Sequence, residues 1–233
     1  MWGGSSAKDD TTDEEKAVLY MEMGARYLEM GMLKTAKEKL EIAEQLDSNN
    51  AETHNIMGVL YEQLRQYQLA GEEFKTAYSL NADNAGIRNN YGRFLCERGH
   101  YEKGTQLLLE ALDMPLNTRK WFAYTNLGRC ELRAGRQDVA EKKFRAALQI
   151  NKRYAPALEE MQKISYRSGR YMSARAFLER YLAVSKHNSE TLWYAIQTER
   201  ALGNEELTEQ YREKLFLLFP LSKEAQQLKT AIN

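Results

Sequence analysis

The three histidines are the first residues to test for chemistry, because imidazole is a common general base and metal ligand. His54, His100 and His187 lie far apart in the sequence, and none of them belongs to a helical metal-binding motif. His54 replaces a large aromatic residue of a repeating pattern, which favours a core position, whereas the other two fall in turn segments and are expected to be solvated. The histidines therefore predict no metal site.

Acidic pairs are the second candidates, since two carboxylates can divide acid and base roles between them. Glu72–Glu73 and Glu205–Glu206 are predicted to lie on solvated outer faces of helices instead. The sequence also contains no glycine-rich phosphate loop, no nucleophile elbow and no paired-histidine protease motif. We therefore expect a protein that is not an enzyme, with no catalytic residue, cofactor or metal.

Recurring turn residues show how the chain is organised. Three of the four gaps between the glycines at these turns are multiples of 34 residues and one gap is 36, and Arg65 completes the register without a glycine. A period of 34 residues in a helical sequence predicts stacked helix–turn–helix repeats. The turn positions are Gly31, Arg65, Gly99, Gly135, Gly169 and Gly203.

Small and large residues alternate within each repeat in the tetratricopeptide pattern. A small residue seven places before the turn lets two helices approach closely, and a large apolar residue 16 positions later fills the space beside it. The small positions are Gly24, Gly58, Gly92, Gly128, Gln162 and Ile196, and the large positions are Leu40, Phe74, Leu108, Phe144, Leu178 and Arg212. The pattern weakens toward the sixth repeat.

The sequence therefore predicts an all-α fold, a right-handed α-solenoid of six tetratricopeptide repeats with a C-terminal capping helix. Residues 1–12 are small and polar and are predicted to form a flexible tether. Within residues 13–220, the expected repeats are 17–50, 51–84, 85–118, 121–154, 155–188 and 189–220. The cap over 221–233 is predicted from an apolar stripe of Leu221, Ala225, Leu228 and Ile232.

Composition narrows the choice of partner. The 33 Lys and Arg balance the 33 Asp and Glu, so the formal net charge is zero and a nucleic-acid partner is not expected. The content of 28% charged and 43% hydrophobic residues is typical of a folded, soluble chain. No stretch approaches the roughly 18 apolar residues of a transmembrane helix.

Three segments of the repeats are specific enough to indicate a family. They are Ala51–His54 leading into Gly58, Asn89–Leu95 and Leu107–Leu112. Together with the count of six repeats and a two-residue insertion before Trp121, they resemble the PilW/PilF family, and within it Neisseria-type PilW most. Members of this family are outer-membrane lipoproteins needed for type IV pilus biogenesis and stability. The resemblance covers about residues 20–227.

The resemblance implies a lipid anchor on the periplasmic face of the outer membrane. Family members enter the periplasm through a lipoprotein signal that ends in an acylated cysteine, and this sequence has no early cysteine. We expect Met1 to stand where that cysteine was, with Gly3 to Asp10 as the tether. The alternative is a cytoplasmic protein that starts at its natural methionine.

The resemblance also implies a partner-binding groove along the first helices of successive repeats. The arginines in this set suit a partner that carries carboxylates, and two asparagines one period apart suit a peptide backbone. The groove side chains are expected to be exposed and mostly polar, and Tyr166 and Trp193 are expected to serve as aromatic anchors. The predicted groove residues are Asn55, Glu62, Asn89, Arg93, Arg129, Arg133, Tyr166, Arg167, Trp193 and Arg200.

The two cysteines, Cys96 and Cys130, fall on the first helices of the third and fourth repeats. They are expected to form a disulfide if the chain is exported to the oxidising periplasm, and to remain buried thiols in the cytoplasm.

The function expected from the resemblance is a scaffold for the pilus machinery that assists assembly or stability of the outer-membrane secretin and of pilus fibres. The alternative is a cytoplasmic co-chaperone or adaptor that holds a peptide tail in its groove.

Overall fold

The structure, a computed structural model, describes residues 12–232, with side chains described to residue 230. The described residues form thirteen α-helices and no strand. This result confirms the predicted all-α tetratricopeptide class. Residues 1–11 of the predicted tether lie outside the described residues, and none of the described helices is long and apolar enough to cross a membrane.

Unit 1 is the compact part of the chain that ends at Asn117. Each odd-numbered helix packs against the helix that follows it, and α3 also contacts α1 and α5. Its helices are α1 (Asp13–Glu29), α2 (Leu33–Leu46), α3 (Ala51–Gln63), α4 (Tyr67–Leu80), α5 (Ala85–Glu97) and α6 (Tyr101–Asp113).

Unit 2 begins at Thr118 and repeats the same pairing. Its last helix packs against α11. Its helices are α7 (Lys120–Arg133), α8 (Gln137–Ile150), α9 (Ala155–Arg167), α10 (Tyr171–Leu182), α11 (Ser189–Ala201), α12 (Glu205–Leu218) and α13 (Lys223–Ile232).

Glycine and phenylalanine bring the two helices of a pair together in both units. A Cβ atom built on Gly58 would lie 2.7 Å from the ring of Phe74, and one built on Gly128 would lie 2.7 Å from the ring of Phe144. Both phenylalanines are fully buried. The absence of a side chain on one helix is therefore what admits the aromatic ring of the other.

The chain end differs from the sequence prediction at one position. Helix α13 begins at Lys223, so Leu221 precedes it and is 86% exposed. Ala225 and Leu228 are buried as predicted. The apolar stripe of α13 therefore starts later than expected, because the turn after Pro220 uses residues up to Ser222.

The turns between paired helices use a left-handed backbone conformation. Gly135 and Gly169 have φ angles of 78° and 71°, in the left-handed region that glycine adopts without steric cost. Arg65 occupies the equivalent turn with a φ of 59°, although it carries a side chain. A left-handed conformation at a residue other than glycine stores strain of about 1 kcal/mol or more.

We expect Arg65→Gly to raise the free energy of unfolding by about 1 kcal/mol, because it releases this strain.

Gly135→Val should lower the free energy of unfolding by more than the roughly 0.5 kcal/mol typical of a surface change. Nothing lies within 4 Å of a Cβ at Gly135, so the loss would come from the backbone alone. Urea denaturation measures both effects, and a destabilised Arg65→Gly protein would contradict the assignment of strain.

Candidate partner-binding surface

Two asparagines connect the first helices of neighbouring pairs in unit 1. Asn90 Nδ2 on α5 donates a hydrogen bond to Asn55 Oδ1 on α3 at 3.0 Å. Asn55 Nδ2 in turn donates to Glu52 Oε1 at 3.0 Å. Asn55 is 4% and Asn89 is 9% exposed, so the prediction that both amides lie exposed in the groove to hold a peptide backbone needs correction.

Arg93 on α5 forms a two-pronged ion pair with Glu62 on α3. Its Nη1 lies 3.1 Å from Glu62 Oε1, its Nη2 contacts Glu62 Oε2, and its Nη1 also lies 3.2 Å from Glu97 Oε1. Burial works against the charged guanidinium, but the hydrogen bonds and charge of Glu62 raise the pKa of Arg93. The sequence led us to expect that Arg93 and Glu62 are freely exposed. In the structure they are instead held by one another.

Unit 2 has matching contacts between its first helices. Arg129 Nε on α7 lies 3.0 Å from Glu160 Oε1 on α9. Lys163 Nζ on α9 lies 2.6 Å from Glu190 Oε2 and 3.3 Å from Glu159 Oε1. Burial would lower the pKa of Lys163, but the neighbouring carboxylates, led by Glu160, raise it. Lys163 was not among the residues predicted for the groove. The signal in the sequence that could have indicated it is the set of acidic residues on α9 and at the start of α11.

The two predicted aromatic anchors are partly buried. Tyr166 packs edge-on against Tyr194 with ring centroids 5.5 Å apart, and Tyr171 lies 5.7 Å away. Trp193 packs against the apolar cluster formed by α11, α12 and α13. Both rings are therefore partly buried rather than exposed, because each packs against neighbouring side chains within unit 2.

Three predicted arginines do reach solvent at the C-terminal ends of first helices. Arg133 on α7, Arg167 on α9 and Arg200 on α11 are all exposed. Arg167 Nη2 donates to Tyr194 Oη at 2.7 Å. Within residues 12–230, Arg133 and Arg200 take part in no ion pair. Cationic side chains at these helix ends are favoured by the helix dipole, and their charges remain available to a partner.

Burial of the histidines and cysteines departs from the sequence expectation at one residue. His54 is buried and His100 is exposed, as predicted. His187 is half-buried rather than solvated, with its ring 5.7 Å from that of Tyr211, and burial lowers its pKa. Cys96 and Cys130 are both buried, and the disulfide between them stays a prediction.

One residue of the acidic pairs is less exposed than the sequence predicted. Glu205 and Glu206 are exposed, as is Glu72. Glu73 is not on a solvated face, because its carboxylate lies 2.7 Å from Nδ1 of His54 and its side chain is only 17% exposed. The helical period places Glu73 at the edge of the buried stripe of α4, which the sequence pattern did not distinguish from its outer face.

Comparison with known proteins supports the resemblance drawn from the sequence. The tetratricopeptide repeat family matches residues 51–84. The type IV pilus assembly protein PilF of Pseudomonas aeruginosa is 28% identical over 94% of this chain and 87% of its own length.

Two solved structures share the fold along nearly the whole chain. The structure from a functional characterisation of Pseudomonas aeruginosa PilF has a TM-score of 0.79 and 27% identity, covering 94% of this chain and 99% of that one. The crystal structure of PilW, described as a widely conserved type IV pilus biogenesis factor, has a TM-score of 0.80 and 25% identity, covering 91% and 97%. The chain is therefore a tetratricopeptide-repeat protein that is similar to PilF and PilW along nearly its whole length.

Proposed function

We propose that this protein is a non-enzymatic scaffold for protein–protein interactions in type IV pilus biogenesis. The observation that carries the proposal is the similarity to PilF, which extends over 94% of the chain at 28% identity. The PilW structure, of a type IV pilus biogenesis factor, supports the same role. Tetratricopeptide repeats act by offering an extended binding surface, which agrees with a role in assembly.

The proposal extends to the binding partners of the scaffold and its location in the cell. The scaffold binds the pilus secretin and other proteins of the pilus machinery, and it assists assembly or stability of the secretin multimer and the pilus fibres. It acts at the periplasmic face of the outer membrane, held by an N-terminal lipid anchor. Support comes from the family resemblance of the three repeat segments named above.

Arginine side chains in unit 2 are the proposed contacts for this partner. Arg133 and Arg200 are exposed at equivalent ends of α7 and α11, and a guanidinium forms paired, charge-assisted hydrogen bonds with a carboxylate. Ion pairs such as Arg129–Glu160 hold the neighbouring helices in place before binding. A surface that is already ordered loses less conformational entropy when a partner docks.

Co-purification of the chain with secretin subunits tests this proposal. We expect the double variant Arg133→Glu and Arg200→Glu to reduce capture at least about tenfold, because attraction of two carboxylates becomes repulsion. The matched control is Lys142→Glu with Arg153→Glu, which makes the same change of charge at exposed positions on α8 and in the loop after it. The control should bind as the unmodified chain does.

Two results would contradict the proposal. Equal capture by the arginine variant and its control would move the binding surface elsewhere. No capture of secretin by the unmodified chain, together with its recovery from the cytoplasm in cell fractionation, would favour the cytoplasmic adaptor instead.

A further inference from the structure

We propose that Glu44, His54 and Glu73 form a binding site for a zinc ion in unit 1. Each of the three residues offers one ligand atom, and these atoms all lie within 4.8 Å of one another. The three histidines lie far apart in the sequence, so no metal site was expected among them. The fold instead brings two carboxylates to a single histidine, and this site is independent of the proposed pilus function.

Three consecutive helices supply the ligands. Glu44 is on α2, His54 on α3 and Glu73 on α4, and α3 packs against both of the other helices. His54 is 6% exposed, so its ring is fixed by the surrounding core. Glu44 is partly exposed, which leaves access for an ion and for a water molecule as a further ligand.

A backbone carbonyl sets the orientation of the histidine ring. His54 Nε2 lies 3.0 Å from the carbonyl oxygen of Ser48. That oxygen can only accept a hydrogen bond, so Nε2 carries a hydrogen. Nδ1 donates to the Glu73 carboxylate while the ring is protonated, and it becomes a metal ligand when it releases that proton. Histidines that bind metals commonly donate their second N–H to a backbone carbonyl in this way, which fixes the tautomer and the ring direction.

The geometry requires only a small opening to admit an ion. His54 Nδ1 lies 2.7 Å from Glu73 Oε2. Tetrahedral zinc with ligand bonds of about 2.0–2.2 Å separates two ligand atoms by about 3.3 Å. Rotation of the Glu73 side chain supplies the difference of roughly 0.6 Å. One imidazole nitrogen with two carboxylate oxygens suits Zn²⁺, whereas Mg²⁺ prefers oxygen ligands and retains its water.

Calorimetric titration of the untagged full chain with Zn²⁺ tests the site. Within residues 12–230, the side chain of Glu44 makes no hydrogen bond or ion pair, so Glu44→Gln should leave the fold intact while removing one ligand. We expect one Zn²⁺ per chain, with affinity at least about tenfold lower in Glu44→Gln. The matched control is Glu38→Gln, which removes an exposed carboxylate from the same helix. His100→Gln controls for binding at the exposed histidine.

Thermal unfolding gives a second readout. An ion that binds the folded state across three helices should raise the melting temperature of the unmodified chain and of Glu38→Gln, but much less that of Glu44→Gln. Zn²⁺ should raise it more than Mg²⁺ at equal concentration. The proposal is overturned if the folded chain binds no Zn²⁺, or if Glu44→Gln binds Zn²⁺ as tightly as Glu38→Gln.

Discussion

Replacing Phe144 by alanine is expected to lower the free energy of unfolding by about 3–5 kcal/mol. The ring is fully buried in the apolar cluster of unit 2 that α9 and α10 complete, and it occupies the space left by Gly128 on α7. Its removal takes a large apolar surface out of the core and leaves a cavity that rigid helices close only in part.

Urea denaturation of the variant and of Phe122→Ala measures this effect with the same chemical change at two positions. Phe122 is 38% exposed and rests against Tyr154, with ring centroids 5.1 Å apart. Its truncation should cost about 1 kcal/mol. Equal losses for the two variants would show that the ring of Phe144 does not support the core as described.

Coupling between Phe144 and Gly128 gives a sharper test of the same contact. In the unmodified chain Gly128→Ala should be destabilising, because its Cβ would lie 2.7 Å from the ring of Phe144. In the Phe144→Ala background the ring is absent, and the better helix propensity of alanine should make Gly128→Ala stabilising by up to about 1 kcal/mol. A double-mutant cycle that shows additive effects would contradict direct contact.

The sequence predicted the core well because the repeat period fixes which positions meet. Leu40, Phe74, Leu108 and Phe144 share one position in successive repeats, and all four are fully buried. Arg212 holds that position in the sixth repeat and is only partly buried. Packing of backbone against side chain depends on spacing alone, and spacing can be read from a single chain.

The polar contacts could not be predicted in the same way. The period places Asn55 and Asn89 on equivalent faces, but the partner of Asn55 is Asn90. Whether Arg93 faces solvent or Glu62 depends on the torsion angles of long side chains on two different helices. The contact of His54 with Glu73 likewise joins two helices. Position within a repeat therefore predicts a shared face, but not which polar groups meet on it.

Replacing Gly104 by alanine is expected to lower the free energy of unfolding by about 2 kcal/mol. Overpacking costs about 1–3 kcal/mol and occasionally more, and the helix propensity of alanine offsets about 1 kcal/mol of it. A Cβ at Gly104 on α6 would lie 2.7 Å from the carbonyl oxygen of Gly92 on α5 and 2.5 Å from the sulfur of Cys96. The sulfur is on a side chain, but the carbonyl oxygen belongs to the backbone of a packed helix.

The contrast with Gly128 makes this prediction specific. The Cβ of Gly128→Ala meets only a ring, which truncation of Phe144 removes, whereas no change of side chain can remove the carbonyl oxygen of Gly92. The matched control is Gly71→Ala on α4, where the nearest atom is Cε1 of Phe94 at 3.2 Å and a small rotation of the ring gives room. Gly71→Ala should be neutral or stabilising by up to about 1 kcal/mol in urea denaturation. If Gly104→Ala proves as stable as Gly71→Ala, then α5 and α6 can separate at little cost, and close backbone approach is not what holds this pair together.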